Sequence, residues 1–125
     1  MKTFKLHLIR HGMTAGNLQG LYIGSGTDLP LCDEGRAQLA DLKERFAYPQ
    51  VDTVFSSPLL RAVETANILF PGAAHQFTVH DLREAGFGKF EGRPVKDLVH
   101  DEDFKKWITP GSGYLPEGAE PTEQF

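Results

Sequence analysis

Phe4, Leu6 and Leu8 alternate with Lys5 and His7, the period-two pattern of a strand, and the run stops at Gly12. This strand is expected to deliver Arg10 and His11 to its C-terminal end. Small and polar residues then predict a loop from Gly12 to about Cys32, with Gly16, Gly20, Gly24, Gly26 and Pro30 along it. Loops of that length within one domain are usually functional or disordered. Asp33-Glu34-Gly35 opens a predicted helix with Ala37, Ala40, Leu42 and Phe46 as buried positions and Cys32 or Asp33 as N-cap. Tyr48-Pro49 ends it. Val51 to Phe55 reads as a second short strand that runs into Ser56-Ser57-Pro58, where Ser57 is the expected N-cap and Pro58 the first helical position. This helix is expected to reach about Phe70, with Leu59, Ala62, Val63, Ala66 and Leu69 on one face, until Pro71-Gly72 stops it. Phe77-Thr78-Val79 predicts a third strand, and Leu82 to Gly92 a glycine-rich loop. A further helix is expected from Val95 to about Ile108, with Leu98, Val99 and Trp107 as apolar contacts, and the tail from Thr109 reads as loop. Strands alternating with helices argue for an α/β fold with a mostly parallel sheet.

Composition narrows the class without naming a chemistry. The 125 residues suit a single domain, 1–125, of the modal size. With 40% hydrophobic and 24% charged residues, the chain reads as globular rather than disordered or fibrous. A net charge of −4 with no block of like charge argues against a nucleic-acid or anionic-membrane surface. The one cysteine, Cys32, excludes an intrachain disulfide and fits a reducing, cytoplasmic setting. Neither CxxC nor HExxH spacing occurs. The first apolar run is too short, and too interrupted by Lys5, His7 and Arg10, for a signal peptide.

Four places along the chain carry candidate chemistry. Open α/β sheets hold ligands beyond the carboxyl ends of their strands, where His11 can serve as nucleophile or base and Arg10 can grip an oxyanion. Alone, such a pair is more often a strand end satisfying its hydrogen bonds. Arg61 lies in the first turn of a helix that follows a strand directly, and a helix N-terminus already attracts anions. Asn17, in the loop after His11, could donate its amide to a phosphate oxygen. Glu84 comes just after the third strand, at the same sheet edge, where a carboxylate could protonate a leaving oxygen and later activate water.

Arg10-His11-Gly12 with Thr14 and Asn17, then Tyr22-Ile23-Gly24 and Thr27-Asp28-Leu29-Pro30-Leu31 before Gly35, resemble the histidine phosphatase superfamily. So do Ser57-Pro58-Leu59-Leu60-Arg61-Ala62 with Thr65-Ala66, and Glu84 ahead of Phe87-Gly88-Lys89-Phe90-Glu91-Gly92. The motifs come in family order from residue 4 to the end of the chain. The resemblance implies a phosphoglycerate mutase-like fold, a three-layer αβα arrangement around a mostly parallel sheet. It implies that His11 is the nucleophile that becomes phosphorylated, that Arg10 and Arg61 clamp the phosphoryl group with help from Asn17, and that Glu84 is the proton donor. Neither a cofactor nor a metal is implied. The Phe87-to-Gly92 phrase is similar to the small α-ribazole phosphatase-like and broad-specificity phosphatases, and a mutase's later paired arginine is not found. The implied activity is hydrolysis of a small phosphorylated metabolite, an acid-phosphatase-like phosphomonoesterase reaction. Phosphoglycerate mutase-type transfer and a non-catalytic phosphate-binding remnant are the alternatives.

One departure from the family pattern bears on every expectation. The family's second catalytic histidine, on a late strand, is not reached before Phe125, so the fold is expected to be incomplete at its C-terminus and turnover impaired. His75, His80 and His100 match no motif. The missing strand would lie between the first two strands of this chain, leaving an open sheet edge. A partner's segment in a homodimer, or a rearranged sheet, would have to cover it.

Overall fold

The computed structural model describes all residues, 1–125. The loop after His11 opens with a one-turn helix, α1 (Ala15–Leu18). Thr14 and Asn17 form a capping box there: the Thr14 hydroxyl accepts from the Asn17 amide at 3.3 Å, and Asn17 Oδ1 accepts from Thr14 N–H at 2.8 Å. Helix α2 (Asp33–Arg45) is capped by Cys32, whose Sγ accepts from Gly35 N–H at 3.3 Å. Asp33 and Glu34 occupy its first turn and Lys43 and Arg45 its last, each sign at the end the helix dipole favours. Its buried residues are Gly35 and Leu39; the expected Ala37, Ala40 and Phe46 are exposed and Leu42 half-buried. The helix packs against α3 (Leu60–Leu69).

Strands β1 (Thr53–Ser56) and β2 (His75–Thr78) pair in parallel, Thr53 opposite His75 and Ser56 opposite Thr78. Helix α3 makes the crossover between them, the standard way of joining parallel neighbours. The fold is therefore mixed helix and strand with parallel pairing, but the sheet stops at two strands. The expected first strand does not form. Residues 1–11 make no backbone–backbone hydrogen bond, and Phe4, Leu6 and Leu8 are 80–89% exposed. Alternating side chains prepare a strand, but only a neighbouring ladder satisfies its N–H and C=O groups, and here none stands beside it.

Two more expectations are corrected. Helix α3 begins at Leu60, with Leu59 in extended conformation as its cap, rather than with Ser57 and Pro58. Ser57 Oγ instead accepts from Leu59 N–H at 3.2 Å, and the helix's leading amide, Leu60 N–H, is taken at 2.8 Å by Asp28 from the preceding loop. The helix expected over 95–108 is two, α4 (Val95–Leu98) and α5 (Glu102–Ile108). Asp101 separates them because its carboxylate caps α5, accepting from Phe104 N–H at 3.0 Å. Leu98 and Phe104 are buried, whereas Val99 is 47% exposed.

The buried side chains fall into two small clusters. Leu31, Leu39 and Leu69 join α2, α3 and the loop before α2. Phe90, Leu98 and Phe104 form the other, with Tyr22, Trp107 and Tyr114 packed around them. The C-terminal segment closes on the loop after β2: Lys89 N–H donates to Glu117 C=O, Glu120 N–H donates to Gly86 C=O, and Arg83 pairs with Glu120 at 2.7 Å. Gly88 makes that approach possible. Its φ is +56°, and a Cβ there would lie 2.2 Å from the Glu117 oxygen. No helix is long and apolar enough to cross a membrane.

Candidate active site

Arg61 anchors the site. Its side chain is almost wholly buried, with the residue 4% exposed, yet no carboxylate lies within ion-pair distance of it. Its guanidinium donates only to backbone carbonyls of the loop before α2, Thr27 at 2.9 Å and Gly24 at 3.3 Å. That loop is itself pinned. Gly24 N–H donates to the Glu91 carboxylate, and Leu31 N–H donates to Glu64, whose other oxygen takes Arg36 at 2.7 Å. A buried cation without a counter-charge is costly, so a fold that holds one rigidly is prepared for an anion.

His11 is half-buried, and the Arg61 charge acts on its imidazole. Its Nδ1 lies 2.7 Å from the Gly12 carbonyl oxygen, which can only accept, so Nδ1 carries the proton and Nε2 the lone pair. Burial lowers the imidazole's pKa below its ordinary 6.5, and the nearby Arg61 and Arg10 push the same way. The Gly12 carbonyl and the Glu84 carboxylate oppose them without reversing the outcome. A ring kept neutral at pH 7, with Nε2 free, is in the form that attacks an electrophile.

Four of the five residues expected at the site thus share one electrostatic neighbourhood: His11, Arg10, Arg61 and Glu84. Arg10 and Glu84 are exposed. The Glu84 carboxylate accepts only the neighbouring Ala85 N–H, at 2.9 Å. Asn17 is placed differently. Its oxygen takes both Thr14 N–H and the Thr14 hydroxyl, and no hydrogen bond joins it to His11, Arg10 or Arg61. Only its amide nitrogen remains as a donor toward a ligand.

Two cavities open elsewhere on the surface than at His11 and Arg61. One of about 430 Å³ runs from Trp107 to Leu115 and against Pro121–Glu123; the other, about 410 Å³, lies between Ser25, Arg83 and Glu120. Neither is lined by His11 or Arg61. Charge and hydrogen bonding, rather than either of these cavities, mark the candidate site.

Sequence reasoning overlooked the supports. Asp28, which caps α3, and Glu64 and Glu91, which fix the loop gripping Arg61, act across 32 to 67 residues of chain. Local patterning carries no sign of pairings that distant.

The family model of the histidine phosphatase superfamily (branch 1) matches residues 6–125, and the chain belongs to that superfamily. A fructose-2,6-bisphosphatase TIGAR B of Danio rerio is 36% identical over 99% of this chain and 49% of its own length. An adenosylcobalamin/alpha-ribazole phosphatase of Salmonella typhimurium is 33% identical over 97% of this chain and 61% of its own. A 2,3-bisphosphoglycerate-dependent phosphoglycerate mutase of Bifidobacterium longum is also among the relatives. Among solved structures, TTHB049 from Thermus thermophilus superposes with a TM-score of 0.70 at 34% identity, covering 94% of this chain and 64% of that one. The chain thus spans 49% to 64% of the length of these relatives.

Proposed function

We propose that this chain carries the nucleophile and phosphate-gripping half of a phosphohistidine mechanism that hydrolyses small phosphomonoesters. The observation that carries the reading is the buried, uncompensated Arg61 guanidinium beside a neutral His11 with Nε2 free. Nε2 attacks phosphorus in line; the N–P bond forms as the P–O bond to the alcohol breaks. Arg61 and Arg10 neutralise the equatorial oxygens, where charge is spread in the transition state. The Asn17 amide adds a donor. Glu84 gives its proton to the leaving oxygen, then takes one from the water that cleaves the N–P bond and returns phosphate. Phosphatases among the relatives support hydrolysis over mutase-type transfer.

The test is hydrolysis of p-nitrophenyl phosphate, followed by an alkyl phosphate. His11→Ala is expected to abolish both, because nothing else supplies the nucleophile. Glu84→Gln is expected to slow the alkyl ester far more than the nitrophenyl one, since nitrophenolate leaves without a proton. Equal losses on the two esters would remove Glu84 from the role. A second reading, phosphate binding without turnover, is favoured by one observation: the segment ending in Arg10 has no backbone ladder to hold it. Phosphate bound with no hydrolysis of either ester would select it.

A further inference from the structure

We infer that Thr65 is the positioning residue that keeps His11 and Arg61 in register on one phosphate, an inference that rests on the site proposed above. Helical spacing puts Thr65 one turn after Arg61 in α3, on the same face, and both are 4% exposed. Its hydroxyl donates to the Arg61 carbonyl at 2.7 Å and accepts the buried Gly12 N–H at 2.9 Å. Gly12 in turn accepts His11 Nδ1–H through its own carbonyl. One hydroxyl therefore joins the helix that presents the guanidinium to the residue that fixes the imidazole's tautomer and aim. With one proton given and one accepted, its rotor is fixed.

The link matters because little else supports His11. The eleven residues that lead into Gly12 make no backbone–backbone hydrogen bonds, so the position of the imidazole is set from its C-terminal side, through Gly12. Space is fixed there as well: a Cβ on Gly12 would meet Leu39 Cδ1 at 2.8 Å and Leu31 Cδ2 at 3.2 Å. Thr65 supplies the one directional contact on this packed face.

The experiment titrates inorganic phosphate into the chain and its variants, and follows the His11 ring nitrogens by 15N NMR. Thr65→Val keeps the shape and leaves Gly12 N–H without a partner. It is expected to weaken phosphate binding about tenfold and to shift His11 away from the Nδ1–H tautomer, as angstrom-scale misplacement of a reacting group would. Thr65→Ser retains the hydroxyl and should restore both readouts. Leu69→Ala, which only loosens the same helix, should destabilise the fold and leave phosphate affinity and tautomer unchanged. A folded Thr65→Val with normal affinity and tautomer overturns the inference. Thr65→Cys, with its feeble thiol hydrogen bonds, takes its place if the valine variant does not fold, and is judged identically. Arg61→Ala tells the two readings apart: if it leaves phosphate binding unchanged, the site itself is wrong and Thr65 has nothing to position.

Discussion

The loop-and-helix half of this molecule and its strand half are built to different standards. From Gly12 to Leu39, around α3, and from Tyr22 across to Phe90 and Glu120, every approach is fixed by a named bond or a filled space: Asp28 on Leu60, Glu91 on Gly24, Glu120 on Arg83. The strand half is a single parallel pair, with Phe55 and Phe77 stacked at 5.6 Å but 60% and 52% exposed, beside an N-terminal segment without any ladder. Helices and loops satisfy their backbones locally or through side chains, whereas a strand needs a neighbour. The first region is therefore closed on itself, while the second is left with two strands.

The largest contrast is between two phenylalanines. Phe90 is fully buried at the centre of its cluster, edge-on to Phe104 with ring centroids 5.3 Å apart. Phe90→Ala should cost about 3–5 kcal/mol through lost burial and the cavity left behind. Phe4 is 89% exposed, and Phe4→Ala should change stability by less than about 0.5 kcal/mol. Urea unfolding of the two variants measures both. A small loss for Phe90→Ala would mean that the closed half has no fixed packing.

Which parts of this were legible in the sequence follows from the same distinction. Helix α2 was legible from its acidic first turn and its cap, expected at Cys32 or Asp33, which are local signals. Its buried face was not, since Ala37, Ala40 and Phe46 are exposed and Leu39 is buried. Arg10, Arg61 and Glu84, whose charges act on the His11 imidazole, each stand at an expected strand end or helix start, which is where sequence reading looks for chemistry. The alternation of Phe4, Leu6 and Leu8 predicts a strand that does not form, because pairing is a property of neighbours and is not in the pattern. The break at Asp101 was legible in principle, as an N-cap residue inside a helical period. The apolar positions at Val95, Val99 and Ile108, all exposed, hid it. Thr65 appeared only as part of a motif, since its two hydrogen bonds reach residues 61 and 12.

The next contrast is between two glycines. Gly12→Ala drives a methyl against Leu39 and Leu31, so it should destabilise by about 1–3 kcal/mol and tilt the imidazole. At Gly72, between α3 and β2, nothing lies within 4 Å of an added Cβ. Gly72→Ala should be neutral or stabilise by up to about 1 kcal/mol, by restricting the unfolded chain. Thermal melts decide both, and equal shifts would remove the distinction between the halves.

Acid should loosen the closed half by way of Glu120. Its carboxyl is held below its ordinary 4.5 by the Arg83 guanidinium first and by Gly86 N–H with it. The folded protein keeps this group ionised at pH values where the unfolded chain takes up a proton. Its contribution is therefore complete above pH 4.5 and is lost as the pH falls toward the folded value. Melting temperature should drop as the pH falls through and below 4.5, and Glu120→Gln should flatten that drop while lowering the plateau. A wild-type midpoint that stays level across that range would exclude this pair as a contributor.

The smallest effect is expected where the sequence pattern is strongest. Replacing Phe4, Leu6 and Leu8 together by Ser removes three large apolar side chains. In a closed sheet that would cost several kcal/mol, at about 1.5–3 kcal/mol for each fully buried residue. Here all three already face solvent, so the triple variant should unfold within about 0.5 kcal/mol of the wild type when both are dilute. Its amides over residues 4–8 should exchange as fast as those of an unstructured peptide, as should the wild type's, because no carbonyl accepts from them. Raising the protein concentration sharpens the comparison. If a second copy or another chain supplies the missing ladder, wild-type amides at 4–8 gain protection with concentration, while those of the triple variant stay unprotected. Protection in the dilute wild type, or a loss of more than about 1 kcal/mol in the triple variant, would show that the segment already has a neighbour and that the strand half is not open.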